Sequence, residues 1–226
     1  ENKDVKLKFE TKKNKISKVE YLDESNALMN NLQDIQQKKE YILPALYQIK
    51  EYYKEGQSFG KSLDEEIQRL SADNGDLSKF PFVQYYSTNY SRFVEKSATK
   101  KPLTHEEIVH FLVNSDEKLE SSSLLRPILV AYLNIGPNTN ITNDVDKLLA
   151  AVNTETPRGQ TILSELIELF DAYDMQDLKT KYLTEAKNLK CTINQRLSGT
   201  ISANVNTEVG AKFPDYKFNH ATNSTG

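Results

Sequence analysis

Thr156-Pro157-Arg158-Gly159-Gln160-Thr161-Ile162-Leu163-Ser164-Glu165-Leu166-Ile167-Glu168-Leu169-Phe170 decides the fold class. Threonine followed by proline supplies an N-cap and a residue whose fixed φ suits the first helical position. Ile162, Leu163, Leu166, Ile167, Leu169 and Phe170 then recur at the three-to-four-residue spacing of one helix face.

The same signals repeat on both sides. Downstream, Asp174 is expected to cap a helix carrying Leu178, Tyr182, Leu183, Ala186 and Leu189. Upstream, Thr142 or Asn143 caps a short helix through Val152. Leu124 to Leu133 forms another, with Pro127 tolerable in its first turn. Thr104-His105-Glu106-Glu107 is a capping box opening a helix through Val113, and Ser62-Leu63-Asp64-Glu65 a second one opening a helix through Leu70. Between these two, Phe82, Tyr85, Tyr86, Asn89, Tyr90 and Phe93 mark a long helix over about 78–97. From about Asp23, Leu28, Leu32, Ile35, Ile42, Leu46 and Ile49 share a stripe that Pro44 should kink or restart near Leu43 and that ends before Gly56. Asp73-Asn74-Gly75-Asp76 and Gly136 to Asn140 read as a turn and a loop.

Only the first segment has a period of two. Val5, Leu7 and Phe9 alternate with Lys6 and Lys8, and Ile16, Val19 and Tyr21 follow a turn at Thr11 to Asn14, which predicts a β-hairpin. Two strands alone are marginal in water, so the hairpin is expected to pack on helices or to join a further sheet. The fold class expected is mainly α: an array of about eight helices, several in antiparallel pairs, with a short N-terminal hairpin. The expected divisions are 1–22 for the hairpin packed on the helices, 23–197 for the helical domain, and a linker or extended strand from Ser198 onward.

Composition agrees. The 226 residues contain only 8 Gly and 7 Pro, which disfavours turn-rich all-β folds and glycine-rich phosphate loops. The formal charge is −3, and the one basic cluster (Lys3, Lys6, Lys8, Lys12, Lys13, Lys15, Lys18) is diluted by Asp4, Glu10 and Glu20. A duplex-binding protein needs a basic excess, so nucleic acid is not expected as a partner. No apolar run approaches the ~18 residues that span a bilayer. The longest, Leu124 to Leu133, is broken by Arg126 and Pro127. Residue 1 is Glu and no leader is visible, so the chain reads as trimmed.

Candidate chemistry is thin. His105 and His110 suggest a zinc helix, but metal-binding pairs stand four apart; a spacing of five puts them about 140° apart on the helix. Asp73, Asn74 and Asp76 lack the alternate ligands and the closing glutamate of an EF-hand loop, and Asn138 to Asp144 reads as turn and cap. Cys191 stands alone, so it forms no dithiol centre. Glu165 and Glu168 read as solvated charge. No catalytic, cofactor or metal residue is expected, and no cofactor. The 12 tyrosines are the remaining candidates: Tyr52, Tyr53, Tyr85, Tyr86 and Tyr90 on the two long helices are the possible partner-binding residues, against the plainer expectation that they line helix–helix contacts.

The tail Val209-Gly210-Ala211-Lys212-Phe213-Pro214-Asp215-Tyr216-Lys217-Phe218 is a short linker and then a proline-fixed entry into an extended segment. It resembles the opening of thioredoxin-like domains of the TlpA and AhpC/TSA type, in which a glycine precedes Pro-Asp-Phe/Tyr by a few residues; Gly210, Pro214, Asp215 and Tyr216 fill those places. The match covers about ten residues. A hairpin, a helical region and this linker together resemble envelope proteins of Bacteroidetes-type bacteria. The resemblance implies that 198–226 is a linker and the truncated start of a thioredoxin-like domain. It also implies that the rest is the non-catalytic N-terminal module of a periplasmic or envelope thiol–disulfide oxidoreductase. The family's catalytic cysteines would lie beyond Gly226. Its partners would be that C-terminal domain and a protein or peptide. A free-standing helical interaction domain and an enzyme of another type are the alternatives.

Overall fold

The computed structural model describes residues 5–13, 15–53, 58–72, 77–95, 102–135 and 141–205. The turn at 73–76, the loop at 136–140, Gly56 and the whole of 206–226, with the segment that resembles a thioredoxin-like opening, lie outside the described residues.

The architecture is mainly α. Two antiparallel strands, β1 (Leu7–Lys12) and β2 (Lys15–Tyr21), precede eleven helices among the described residues. These are α1 (Glu24–Tyr41), α2 (Leu43–Lys50), α3 (Ser58–Ser71), α4 (Pro81–Phe93), α5 (His105–Asn114), α6 (Lys118–Ser121), α7 (Leu125–Leu133), α8 (Ile141–Val152), α9 (Pro157–Ala172), α10 (Gln176–Lys187) and α11 (Gln195–Val205). Three exceed the expected eight. Pro44 restarts the helix at Leu43, so the first stripe becomes α1 and α2, α6 is a single turn without a periodic signature, and α11 occupies part of the expected linker.

Several helix ends follow local chemistry. Asp23 accepts the Asn26 amide at 2.8 Å, capping α1. Both halves of the Thr104 capping box form: Glu107 N–H donates to Thr104 Oγ1 at 3.2 Å, and Thr104 N–H donates to Glu107 Oε2 at 3.0 Å. Thr156 accepts from Gly159 N–H at 3.0 Å. Other expected starts are displaced. α3 begins at Ser58, so the Ser62 hydroxyl bonds back to the Ser58 carbonyl instead of capping. α4 is shorter than 78–97. Thr142 and Asn143 lie inside α8. Asp174 sits at φ 57 in the left-handed region, and the N-cap of α10 is Met175.

The chain divides into two compact units. One holds residues 1–103 and 115–131, the other 104–114 and 132–226. In the first, α1 contacts α2, α3 and α4, and α2 contacts α3. Leu32, Leu63, Ile67, Leu70, Val83, Tyr86 and Phe93 are buried there. In the second, α9 is the central helix, packed against α8, α10 and α11. Its Ile162, Leu163, Leu166, Ile167, Leu169 and Phe170 are all buried. At about 2 kcal/mol each, six such side chains supply on the order of 10 kcal/mol before the entropic cost of ordering them.

The hairpin is different. β2 contacts α1, yet every strand residue is exposed except half-buried Tyr21. Leu7 pairs with Tyr21, Phe9 with Val19 and Thr11 with Ile16; the register shifts between Glu10 and Thr11, leaving Ser17 as the extra residue of β2. Side chains alternate faces along a strand. Without that bulge Ile16 would join Lys18 on the charged face; the bulge returns it to the face of Phe9 and Val19.

Candidate functional site

The five candidate tyrosines fall into two groups. Tyr52 and Tyr53 follow α2 in a turn whose amides donate to the Ile49 and Lys50 carbonyls. Tyr52 is 84% exposed, and the exposed Tyr53 ring meets exposed Phe59 edge-on, with centroids 4.8 Å apart. Tyr85, Tyr86 and Tyr90 instead belong to the packing of α4. Tyr86 is buried and stacks on Tyr90 with centroids 5.9 Å apart. Burial raises the Tyr86 hydroxyl pKa against a bond from Gln33 of α1. Burial also pushes Tyr90 up to about 12, with the Glu40 carboxylate adding to it. Tyr85 is half-buried with the Lys118 ammonium 5.8 Å from its ring.

Around Tyr52 and Tyr53 the surface is broader than those two residues. α2 buries none of its residues. Tyr41, Ile42, Tyr47, Ile49 and Phe59 are exposed beside it, and of all exposed large apolar residues described, only Val113 and Tyr173 lie in the other unit. The cause is local. Pro44 stops α1 from continuing, and α2 is then only eight residues long, with Leu43 and Leu46 half-buried against α1 and α3. Periodicity identifies an apolar stripe but not whether a neighbour is long enough to cover it, so this extent was not visible in the sequence.

The polar clusters of the second unit serve packing. Glu165, 4% exposed, pairs with Arg196; Thr200 Oγ1 lies 2.7 Å from Ser164 Oγ and donates to Glu168 at 3.2 Å. These contacts join α9 to α11, so Glu165 is a buried ion-pair member and not the solvated charge its sequence context suggested. Gln160 donates to Cys191 Sγ at 3.3 Å and to the Thr192 carbonyl at 3.0 Å, and accepts from Asn194 N–H at 2.7 Å, holding the segment before α11. Tyr182 donates to Thr142 O and Asp146 Oδ1, tying α10 to α8. His105 Nε2 bonds the Tyr132 carbonyl at 3.2 Å with its ring 4.5 Å from the Tyr132 ring. Among the described residues no three of His, Cys, Asp or Glu converge to hold a metal, and no helix is long and apolar enough to cross a membrane.

The chain can thus offer an apolar, aromatic surface around α2, flanked by the Lys50–Asp64 ion pair between α2 and α3. No family model, curated protein or solved structure matches it.

Proposed function

We propose that the chain is a non-catalytic binding module that engages a protein or peptide partner through the surface of α2 and its flanks. The observation that carries this reading is that no residue of α2 is fully buried while Tyr41, Ile42, Tyr47, Ile49, Tyr52, Tyr53 and Phe59 stand exposed on it and its flanks. Exposed aromatic side chains gathered around one short helix, with a polar rim, are the kind of anchors that interfaces use. The tail's resemblance to thioredoxin-like domains adds the context: an accessory module of a thiol–disulfide oxidoreductase in the bacterial envelope, positioning that domain or recruiting its substrate.

Site-specific photo-crosslinking tests this. Crosslinkers at Tyr47 and Tyr52 should capture a discrete partner, a crosslinker at exposed Tyr173 in the other unit should not, and Ile49→Asp should abolish capture. Equal capture at Tyr173 overturns the binding surface. A thioredoxin-like oxidoreductase in the adduct supports the redox context; an unrelated protein favours a free-standing interaction domain. Insulin-disulfide reduction by this chain alone should stay at background.

A further inference from the structure

The hairpin is a second unpartnered surface, independent of α2. Leu7, Phe9 and Val19 stand on one face with Ile16, all exposed, Phe9 at 59% and Ile16 at 64%. The opposite face carries Lys8 opposite Glu20, Glu10 opposite Lys18, and Lys12 opposite Lys15. Its two glutamates are therefore matched to two lysines, with Lys8 Nζ 3.7 Å from Glu20. Lys12 and Lys15 face each other with no carboxylate directly across from either, and like charges directly across a ladder are destabilising. From Val5 to Tyr21 there are six lysines against two glutamates, in a chain whose formal charge is −3.

The backbone specifies an edge. Leu22 N–H donates to the Lys6 carbonyl, so Lys6 and Leu22 form a hydrogen-bonded pair. By the alternation of an antiparallel ladder, the next such pairs are Lys8–Glu20 and Glu10–Lys18. The N–H and C=O groups of Leu7 and Phe9 therefore point away from β2, and among the described residues neither makes a backbone bond outside the hairpin. β2 carries the main contacts with α1, which leaves β1 as the more open edge. A sheet needs three or more strands, or a packed face, to be stable in water.

We propose that β1 is a strand-acceptor edge, completed by an extended segment of a partner protein whose residues alternate apolar and acidic. Main-chain bonds to Leu7 and Phe9 provide the pairing. The segment's apolar side chains lie beside Leu7 and Phe9 and take them out of water, while its carboxylates fall on the face of Lys8 and Lys12, where the one carboxylate of β1, Glu10, is already matched by Lys18 across the ladder. A basic or uniformly polar strand satisfies only one of these two faces.

The test uses two synthetic eight-residue peptides, one alternating valine and glutamate and one alternating valine and lysine, with amide hydrogen exchange of the whole chain followed residue by residue. The valine–glutamate peptide should slow exchange at Leu7 and Phe9 at least tenfold at saturation, and the valine–lysine peptide should not. Phe9→Pro, which removes one outward N–H from an edge position, should abolish the effect. The double variant Lys8→Glu/Lys12→Glu should reverse the preference between peptides, which guards against a proline variant that merely unfolds the hairpin. No slowing with either peptide, equal slowing with both, or slowing confined to the outer edge of β2 overturns the proposal. Protection that rises with protein concentration in the absence of peptide overturns it in favour of self-pairing.

Discussion

Gly159 faces the carbonyl of Asn153 so closely that a methyl group on its Cα would overlap that oxygen and crowd the Cα of Thr154. Backbone atoms cannot give way as a side chain does. Gly159→Ala should therefore cost about 2 kcal/mol or more, although alanine is the better helix former by about 1 kcal/mol. Gly199 in α11 has nothing within 4 Å of the same added group. Gly199→Ala should stabilise by about 0.5–1 kcal/mol. Urea unfolding midpoints with unchanged slopes measure both, and equal effects at the two glycines would refute the difference in their surroundings.

Glu165 is the carboxylate that burial makes dependent on a partner. Arg196→Ala leaves that charge short of its cation and should destabilise by about 2–3 kcal/mol. In a Glu165→Gln background the same change should cost under about 1 kcal/mol, because the carboxylate is gone. A double-mutant cycle reads the difference directly; additive losses would show that the two side chains are not coupled.

Acid should weaken the α8–α10 contact in a defined window. Burial raises the Asp146 carboxyl, but bonds from Lys181 at 2.6 Å and Tyr182 at 2.9 Å, with the lysine's charge, outweigh it and hold the pKa below its ordinary value. A depressed folded-state value contributes stability above the unfolded value of about 4 and loses it as pH falls through the folded one. Lys181→Met should thus be less stable than the parent at pH 7, and the gap should close below about pH 4. A gap independent of pH would mean that the lysine acts through packing alone.

The two tyrosine groups should separate cleanly. Tyr86→Ala opens a void against α1 and should cost about 3–4 kcal/mol, near the cost of truncating a buried phenylalanine. Tyr52→Ala touches an exposed ring and should change stability by less than about 0.5 kcal/mol while weakening partner capture. Thermal unfolding followed by circular dichroism distinguishes them, and a large stability loss for Tyr52→Ala would show a covered surface.

Much of the helical order was visible in the sequence wherever apolar spacing and a cap agreed, as at Thr104 and Thr156. α11 was not visible, because Ser198, Gly199, Thr200 and Ser202 carry no apolar stripe and read as linker. Its position comes from tertiary contacts: Leu197 is buried, Asn194 caps the helix by accepting the Leu197 amide at 2.8 Å, and Thr200 meets Ser164 across the interface. The candidate surface was half legible. Tyrosines on a helix announce aromatic area, yet which of them a neighbour covers depends on helix lengths set by Pro44 and by the early start of α3. The Ser17 bulge left no compositional mark at all.

Neither compact unit is a continuous stretch of chain. Residues 104–114 belong with 132–226, and 115–131 return to the first unit. During synthesis, therefore, α5 emerges before α8, the helix it contacts, and waits about thirty residues for it. The first unit in turn cannot close until α6 and the start of α7 have left the ribosome. No single cut yields two independently expressible halves: a break after Leu103 strips one unit of its last strip of chain, and a break after Ala131 strips the other of its first helix. Evolution, or an engineer, can exchange these units only by moving all three crossings together.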